Sequence, residues 1–118
     1  MRQDFKRAEE TAAEALREAG HIIIARNYLI PGIGELDIVS LKDGRICASE
    51  VKARQYRRPA GERGPFSRSK QQKTIRALRI FLQDQKQEAR DLGLLAAEVL
   101  WNKDGRISAC RILPWDEI

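Results

Sequence analysis

Two apolar runs, Gly34-Glu35-Leu36-Asp37-Ile38-Val39 and Ala48-Ser49-Glu50-Val51-Lys52, flank a Lys42-Asp43-Gly44-Arg45 turn. Alternating apolar runs around Asp-Gly read as a β-hairpin. If Asp43 and Gly44 form a two-residue loop, Lys42 faces Arg45, Asp37 faces Glu50 and Glu35 faces Lys52. Directly opposed residues of an antiparallel pair share a face with Cβ atoms roughly 4.5–5.5 Å apart, and like charges so placed are destabilising. A divalent cation offsets such repulsion, since Mg²⁺ takes oxygen ligands at about 2.0–2.1 Å and is commonly held by one or two carboxylates. Lys52 is then free to act on a phosphate or a water. A three-residue loop is the alternative, and it would set Ser49 opposite Asp37. Leu36, Ile38 and Val51 fall on one face of the hairpin, with Val39, Leu41 and Ile46 on the other. A strand apolar on both faces belongs at the centre of a covered sheet.

Around this hairpin the charge is unevenly distributed. From Lys52 to Arg79 there are ten basic side chains against one acidic, Glu62, a balance of +9. The remaining residues carry 12 basic and 16 acidic groups, a balance of −4. A basic segment beside a carboxylate cluster suits an enzyme that binds a polyanion. The 118 residues form one expected domain, 1–118. No apolar run approaches the roughly 18 residues of a membrane span. Met1 to Glu10 is charged and unlike an export signal, so a cytoplasmic location is expected. Cys47 and Cys110 lie in strand-like stretches and read as reduced and buried. With one histidine and no closely spaced cysteine pair, a zinc site is not expected.

In chain order, Asp4 to Ala19 predicts a helix with an inward stripe of Phe5, Ala8, Ala12, Ala15, Leu16 and Ala19, stopped at Gly20. Glu9 lies at the edge of that stripe, where most glutamates are solvated. His21 to Ile30 predicts a strand, and His21 at its start reads as a surface or capping residue. Ala53 to Arg68 is a loop rich in Arg, Gly and Pro, expected to be mobile without substrate. Its Arg54, Arg57, Arg58, Arg63 and Arg68 are candidates for phosphate contacts, and Tyr56 or Phe66 could stack on a base. Ser69 to about Arg90 predicts a second helix, capped by Ser69 with Gln72 and turned inward through Ile75, Leu78, Phe81 and Leu82. Lys70, Lys73 and Arg76 in its first turns oppose the helix dipole, so anion binding accounts for them better than helix stability. Leu94–Trp101 and Arg106–Leu113 predict two more strands, with both tryptophans at a sheet edge or core margin. The pentapeptide Lys-Asp-Gly-Arg-Ile occurs at 42–46 and again at 103–107, one turn chemistry used twice.

Helix, three strands, helix and two strands, with Asp37 on the second strand and Glu50-Val51-Lys52 on the third, resembles the PD-(D/E)xK nuclease superfamily. Within it the chain is similar to the YraN-like family of small predicted endonucleases, related in fold to Holliday-junction resolvases. The resemblance rests on Glu9, Ala12, Leu16 and Gly20, on Arg26-Asn27, on Gly34-Glu35-Leu36-Asp37, on Glu50-Val51-Lys52 with Arg54, and on Lys70-Gln71 and Ala77. It implies an α/β, restriction-endonuclease-like αβββαβ core, a mixed central sheet flanked by helices. It further implies Asp37 and Glu50 as ligands of Mg²⁺ or Mn²⁺, helped by the Val51 carbonyl and by Glu9 from the helix, with Lys52 activating water or stabilising the transition state. Glu35 belongs to the same motif as a further catalytic candidate. Three departures stand out: Ala8 where the family usually has glycine, Ser49 in place of an apolar residue, and no Arg-Phe-Asp run in the fourth strand.

The expectation is thus an endonuclease hydrolysing structured or branched DNA, binding it through Arg54, Arg57, Arg58, Arg68, Lys70 and Lys73. No membrane partner is expected, and a homodimer is compatible with the sequence. The alternative reading is a nucleic-acid-binding protein with a nuclease-like fold that does not cut.

Overall fold

A computed structural model describes residues 2–55, 67–86 and 91–115. Their order is α1 (Arg2–Glu18), β1 (Ile22–Ile30), β2 (Gly34–Lys42), β3 (Arg45–Arg54), α2 (Arg68–Asp84), β4 (Leu92–Trp101) and β5 (Ile107–Pro114). The strands form one sheet in the order β1-β2-β3-β4-β5, with β3 at its centre. Short turns join β1 to β2, β2 to β3 and β4 to β5, and those pairs are antiparallel. The chain reaches β4 through α2, and β3 and β4 are parallel, as a helical crossover requires. The expected restriction-endonuclease-like core is therefore present, a mixed sheet with a helix on each face.

The α1 helix packs closely because its inward residues are small: Ala8, Ala12, Ala13 and Leu16 are fully buried against Ile38, Val51, Ala97 and Val99. The inward stripe differs from the expected one. Phe5 and Ala19 are exposed, while Ala13 and Glu9 are buried. Alanines at 8, 12, 13, 15 and 19 make several faces of this helix apolar, so periodicity alone does not choose among them. The helix stops at Gly20, φ +96°, where the N–H of Gly20 bonds the Arg17 carbonyl and the N–H of His21 bonds that of Leu16. This is a Schellman closure, which calls for a left-handed residue.

The β2–β3 turn has Asp43 at φ 51° and Gly44 at φ 76°, both left-handed, as a two-residue type I′ turn requires. The ladder runs from Lys42–Arg45 to Ile38–Ser49, which is the register of the two-residue loop. One expected face assignment is overturned. Leu36 joins Val39 and Ile46 in the cluster under α2, although Ile38, two residues on, lies under α1. Alternation fails across from Asn27, a non-glycine residue at φ 52° flanked by the pairs Arg26–Ile38 and Tyr28–Leu36.

The cap of α2 lies two residues earlier than expected. Ser67 is its cap, with the side chain accepting from the N–H of Lys70 at 3.2 Å, so Ser69 lies inside the helix. The helix also stops early, at Asp84, because Lys86 at φ 54° turns the chain out of it. Ala77, Leu78, Phe81 and Leu82 face the sheet, and Ile75, expected inward, is half-buried. Trp115 is buried against Ala96, and Trp101 sits at the margin of the α1 cluster beneath the Arg7 guanidinium, 5.3 Å from the ring centre. Cys47 is buried, Cys110 is half-buried, and both are free thiols. Among the described residues no helix is long and apolar enough to cross a membrane.

Candidate active site

The turn register decides where the acidic side chains of β2 and β3 meet. The ladder itself stops at Ile38–Ser49, and beyond it Asp37 lies close enough to Glu50 to feel its charge. The N–H of Val51 donates to Asp37 Oδ2 at 2.9 Å, tying the carboxylate to the neighbouring strand. Asp37 is pushed from 3.8 up to about 7, chiefly by burial and then by Glu50, with Glu9 and Glu35 adding to the rise and the Val51 N–H opposing it. A carboxylate surrounded by carboxylates in a desolvated place holds its proton.

Glu9 reaches this centre from α1. Only 4% of it is exposed, and burial raises its pKa against the opposing effects of Asn27 and Arg26, with Glu35 and Glu10 raising it further. Most glutamates on such a helix are solvated, and this one is not. With its amide nitrogen facing the carboxylates, Asn27 donates to Glu9 Oε2 at 2.6 Å and to Glu35 Oε1 at 3.2 Å. Lys52 does not engage Glu35: its Nζ lies 3.4 Å from Glu50 Oε1, and Lys70 Nζ approaches the same oxygen at 3.8 Å. Carboxylates from α1, β2 and β3, and ammonium groups from β3 and α2, thus converge.

The donors suit a hard cation. All are carboxylate oxygens, and a positive charge among them would relieve the repulsion that adds to the rise at Asp37. Among the described residues no three His, Cys, Asp or Glu side chains form a ready-made cage. That is compatible with Mg²⁺, which is usually held by one or two carboxylates and completed by water and phosphate. Softer ligands lie elsewhere. His21, whose Nδ1 is 2.9 Å from Ser40 Oγ, and Cys47 line a separate cavity of about 330 Å³ near the β2–β3 turn with Lys42, Asp43, Arg45 and Asp91. Burial and Lys42 lower the His21 pKa.

The basic residues divide into two groups. Arg68, Lys73, Arg76 and Arg79 are exposed on α2, and Lys70 beside them is half-buried. Gln72, Ile75, Arg76, Arg79, Ile80 and Gln83 line a groove of about 630 Å³ along the outer face of that helix. Arg54 instead turns toward the buried Glu98, its Nε 3.9 Å from Oε2, while Arg111 holds the other oxygen at 3.2 Å. Arg57, Arg58 and Arg63, with Tyr56 and Phe66, lie outside the described residues. Two features escaped the sequence reading. Glu98 carries its own pair of arginines, Arg111 brought to it by the β4–β5 register and Arg54 by the β3–β4 register. Asn27 contacts two carboxylates from a left-handed backbone, for which the one available signal is that Asn tolerates that region better than most residues.

Residues 8–112 match the family described as Uncharacterised protein family UPF0102. A UPF0102 protein of Symbiobacterium thermophilum is 31% identical over 105 residues, covering 89% of this chain and 87% of that protein. One from Psychrobacter cryohalolentis is 38% identical over 85 residues, 69% of this chain and 49% of the relative, and one from Desulfosudis oleivorans is 37% identical over 85 residues, 71% of this chain and 68% of the relative. The chain thus spans about half the length of some of these relatives and most of the length of others.

Proposed function

The chain belongs to the UPF0102 family, the YraN-like group, and on that premise we propose that it is a Mg²⁺- or Mn²⁺-dependent endonuclease acting on structured or branched DNA. One observation carries the reading: burial first, and then the charges of Glu50, Glu9 and Glu35, raise Asp37 to about 7, in a centre whose Glu50 is approached by Lys52 and by Lys70 from the start of α2. Burying like charges together is costly, and a phosphodiesterase site gives that arrangement a use.

Asp37 and Glu50, with the Val51 carbonyl, would hold the cation, and Glu9 would approach it from α1. When bound, the cation polarises the phosphoryl oxygen and makes a bound water acidic enough to attack. Lys52, already 3.4 Å from Glu50, would orient that water or meet the charge growing on the phosphate. Glu35 would act through its contact with Asn27. Arg68, Lys70 and Lys73, together with Arg57 and Arg58, would hold the DNA backbone. Phosphate contacts of this kind position a duplex without reading its sequence, which favours recognition by shape.

A second reading, a nucleic-acid-binding protein that does not cut, draws support from Glu50, which two ammonium groups already approach. A Mn²⁺-dependent cleavage screen over junctions, flaps and single strands, run beside Asp37→Ala, separates the two. The endonuclease reading expects cutting by the native protein, loss of at least about 10³-fold in the variant, and DNA binding preserved or tightened. Native protein that binds DNA and cuts nothing would leave the second reading standing.

A further inference from the structure

Asn27 occupies a position that few kinds of residue fill readily. Its φ of 52° lies in the left-handed region, inside β1 and across from Asp37. Glycine satisfies such a backbone at no steric cost, and asparagine is among the few other residues that tolerate it. The backbone alone would therefore be met by glycine. What asparagine adds is an amide with two donors; oriented with its nitrogen toward the carboxylates, as the surrounding acceptors require, it donates to Glu9 Oε2 at 2.6 Å and to Glu35 Oε1 at 3.2 Å. One acceptor belongs to a helix and the other to the neighbouring strand, so the amide spans the seam between α1 and the sheet.

The chemistry of the donor matters too. Arginine or lysine could also bind two carboxylates, but either would bring a positive charge to the place where a cation is to be held. The amide holds both carboxylates and leaves their negative charge uncancelled. The left-handed backbone serves the same end. Arg26, the preceding residue, faces α1 and pairs with Glu10 at 3.0 Å, and Tyr28, the following one, faces α2 and packs edge-on against Phe81. In a regular strand Arg26 and Tyr28 would share one face and Asn27 would take the other. The reversal at Asn27 turns its side chain toward the α1 carboxylates while its neighbours stay in their own layers.

We propose that Asn27 is a positioning residue, a neutral clamp that fixes Glu9 of α1 and Glu35 of β2 around Asp37. The proposal concerns the carboxylate geometry, and its bearing on metal binding rests on the reading of the site given above.

Two variants test it. Asn27→Gly keeps the backbone and removes the amide. Asn27→Asp keeps the shape and the tolerance of left-handed φ, but replaces a donor by a third carboxylate. In metal-free crystal structures the Glu9 and Glu35 carboxylates should move apart in Asn27→Gly and further in Asn27→Asp, while the melting temperature of Asn27→Gly stays at or above that of the native protein. In calorimetric titrations, Mn²⁺ should bind Asn27→Gly about 10–100-fold more weakly, the usual effect of removing a group that orients a ligand. Carboxylates that stay in place in both variants would overturn the proposal, as would a Mn²⁺ affinity unchanged within about twofold. If the native protein itself takes up no Mn²⁺, the metal reading falls, and the metal-free structures still decide the role of Asn27.

Discussion

Glu98 on β4 and Asp37 on β2 flank the central strand from opposite sides, and both are acidic groups within a covered sheet. Their surroundings differ. Glu98, 5% exposed, has Arg111 at 3.2 Å and Arg54 at 3.9 Å. Asp37 has one backbone N–H and three neighbouring carboxylates, and among the described residues no cation bridges it. A buried acid with paired arginines is a finished structural element. A half-buried acid left among its own kind is stable only because the rest of the fold holds it there, and such groups concentrate where chemistry is done. The contrast separates the two roles more sharply than burial does.

The largest expected effect comes from the cation itself. At 100 times its dissociation constant, a ligand that binds only the folded state adds about 2.7 kcal/mol. Mn²⁺ should therefore raise the melting temperature by several degrees, measured by calorimetry. Asp37→Asn should abolish that rise and Glu98→Gln should leave it intact. Equal responses from the two variants would break the distinction between the two acids.

Without metal the order reverses. Glu98→Gln deprives Arg111 and Arg54 of their shared partner and should cost about 1–3 kcal/mol in denaturant unfolding. The lower part of that range is favoured because both arginines reach solvent, with 36% and 22% of their side chains exposed. Asp37→Asn removes a source of repulsion and should be neutral or stabilising above pH 7, like other functional residues that fit their fold poorly.

A smaller effect follows from protonation. The folded Asp37 titrates near 7 and its ordinary value is 3.8. Below 3.8 both states carry the proton. Between those values the unfolded chain has released it and the folded chain keeps it, so stability falls as pH rises and levels off beyond about 7. The slope contributed by one such group is at most about 1.4 kcal/mol per pH unit. Glu9, also raised, adds to it in the same direction. The difference between native protein and Asp37→Asn in metal-free unfolding curves isolates the Asp37 share, and saturating Mn²⁺ should flatten the native curve.

How much of this the sequence discloses depends on the range of the interaction concerned. The β2–β3 hairpin is legible because Asp43-Gly44 selects its turn locally, and that one choice brings Asp37 to Glu50. The same pentapeptide at 103–107 makes a wider connection. There Trp101 pairs with Ile107, and the Asn102 side chain accepts from the N–H groups of Asp104 and Arg106. Identical turn residues thus give two geometries once their flanks differ. The face of α1 was not legible, since its alanines fit several orientations and only contact with the sheet selects Ala13 and Glu9. The placement of Leu36 was hidden for a related reason: period-two reading assumes a regular strand, whereas Leu36 and Ile38 lie in different layers, opposite Tyr28 and Arg26 on either side of the left-handed Asn27.

The smallest effect extends the comparison from acids to bases. Arg111 is engaged with Glu98, whereas Arg68, Lys73 and Arg76 stand open on α2, so only the second group is available to a phosphate backbone. Each phosphate contact releases condensed counterions, and the logarithm of the DNA affinity falls with the logarithm of salt concentration by about 0.9 per contact. Lys73→Ala and Arg76→Ala should therefore each reduce that slope by about 1, with similar losses on unrelated sequences. Arg111→Ala should leave the slope unchanged even if it lowers stability. Fluorescence anisotropy with a labelled junction across a salt series measures all three. Slopes unaltered by the α2 substitutions would mean that the open bases do not meet DNA, and the charged helix would then be a solvated face.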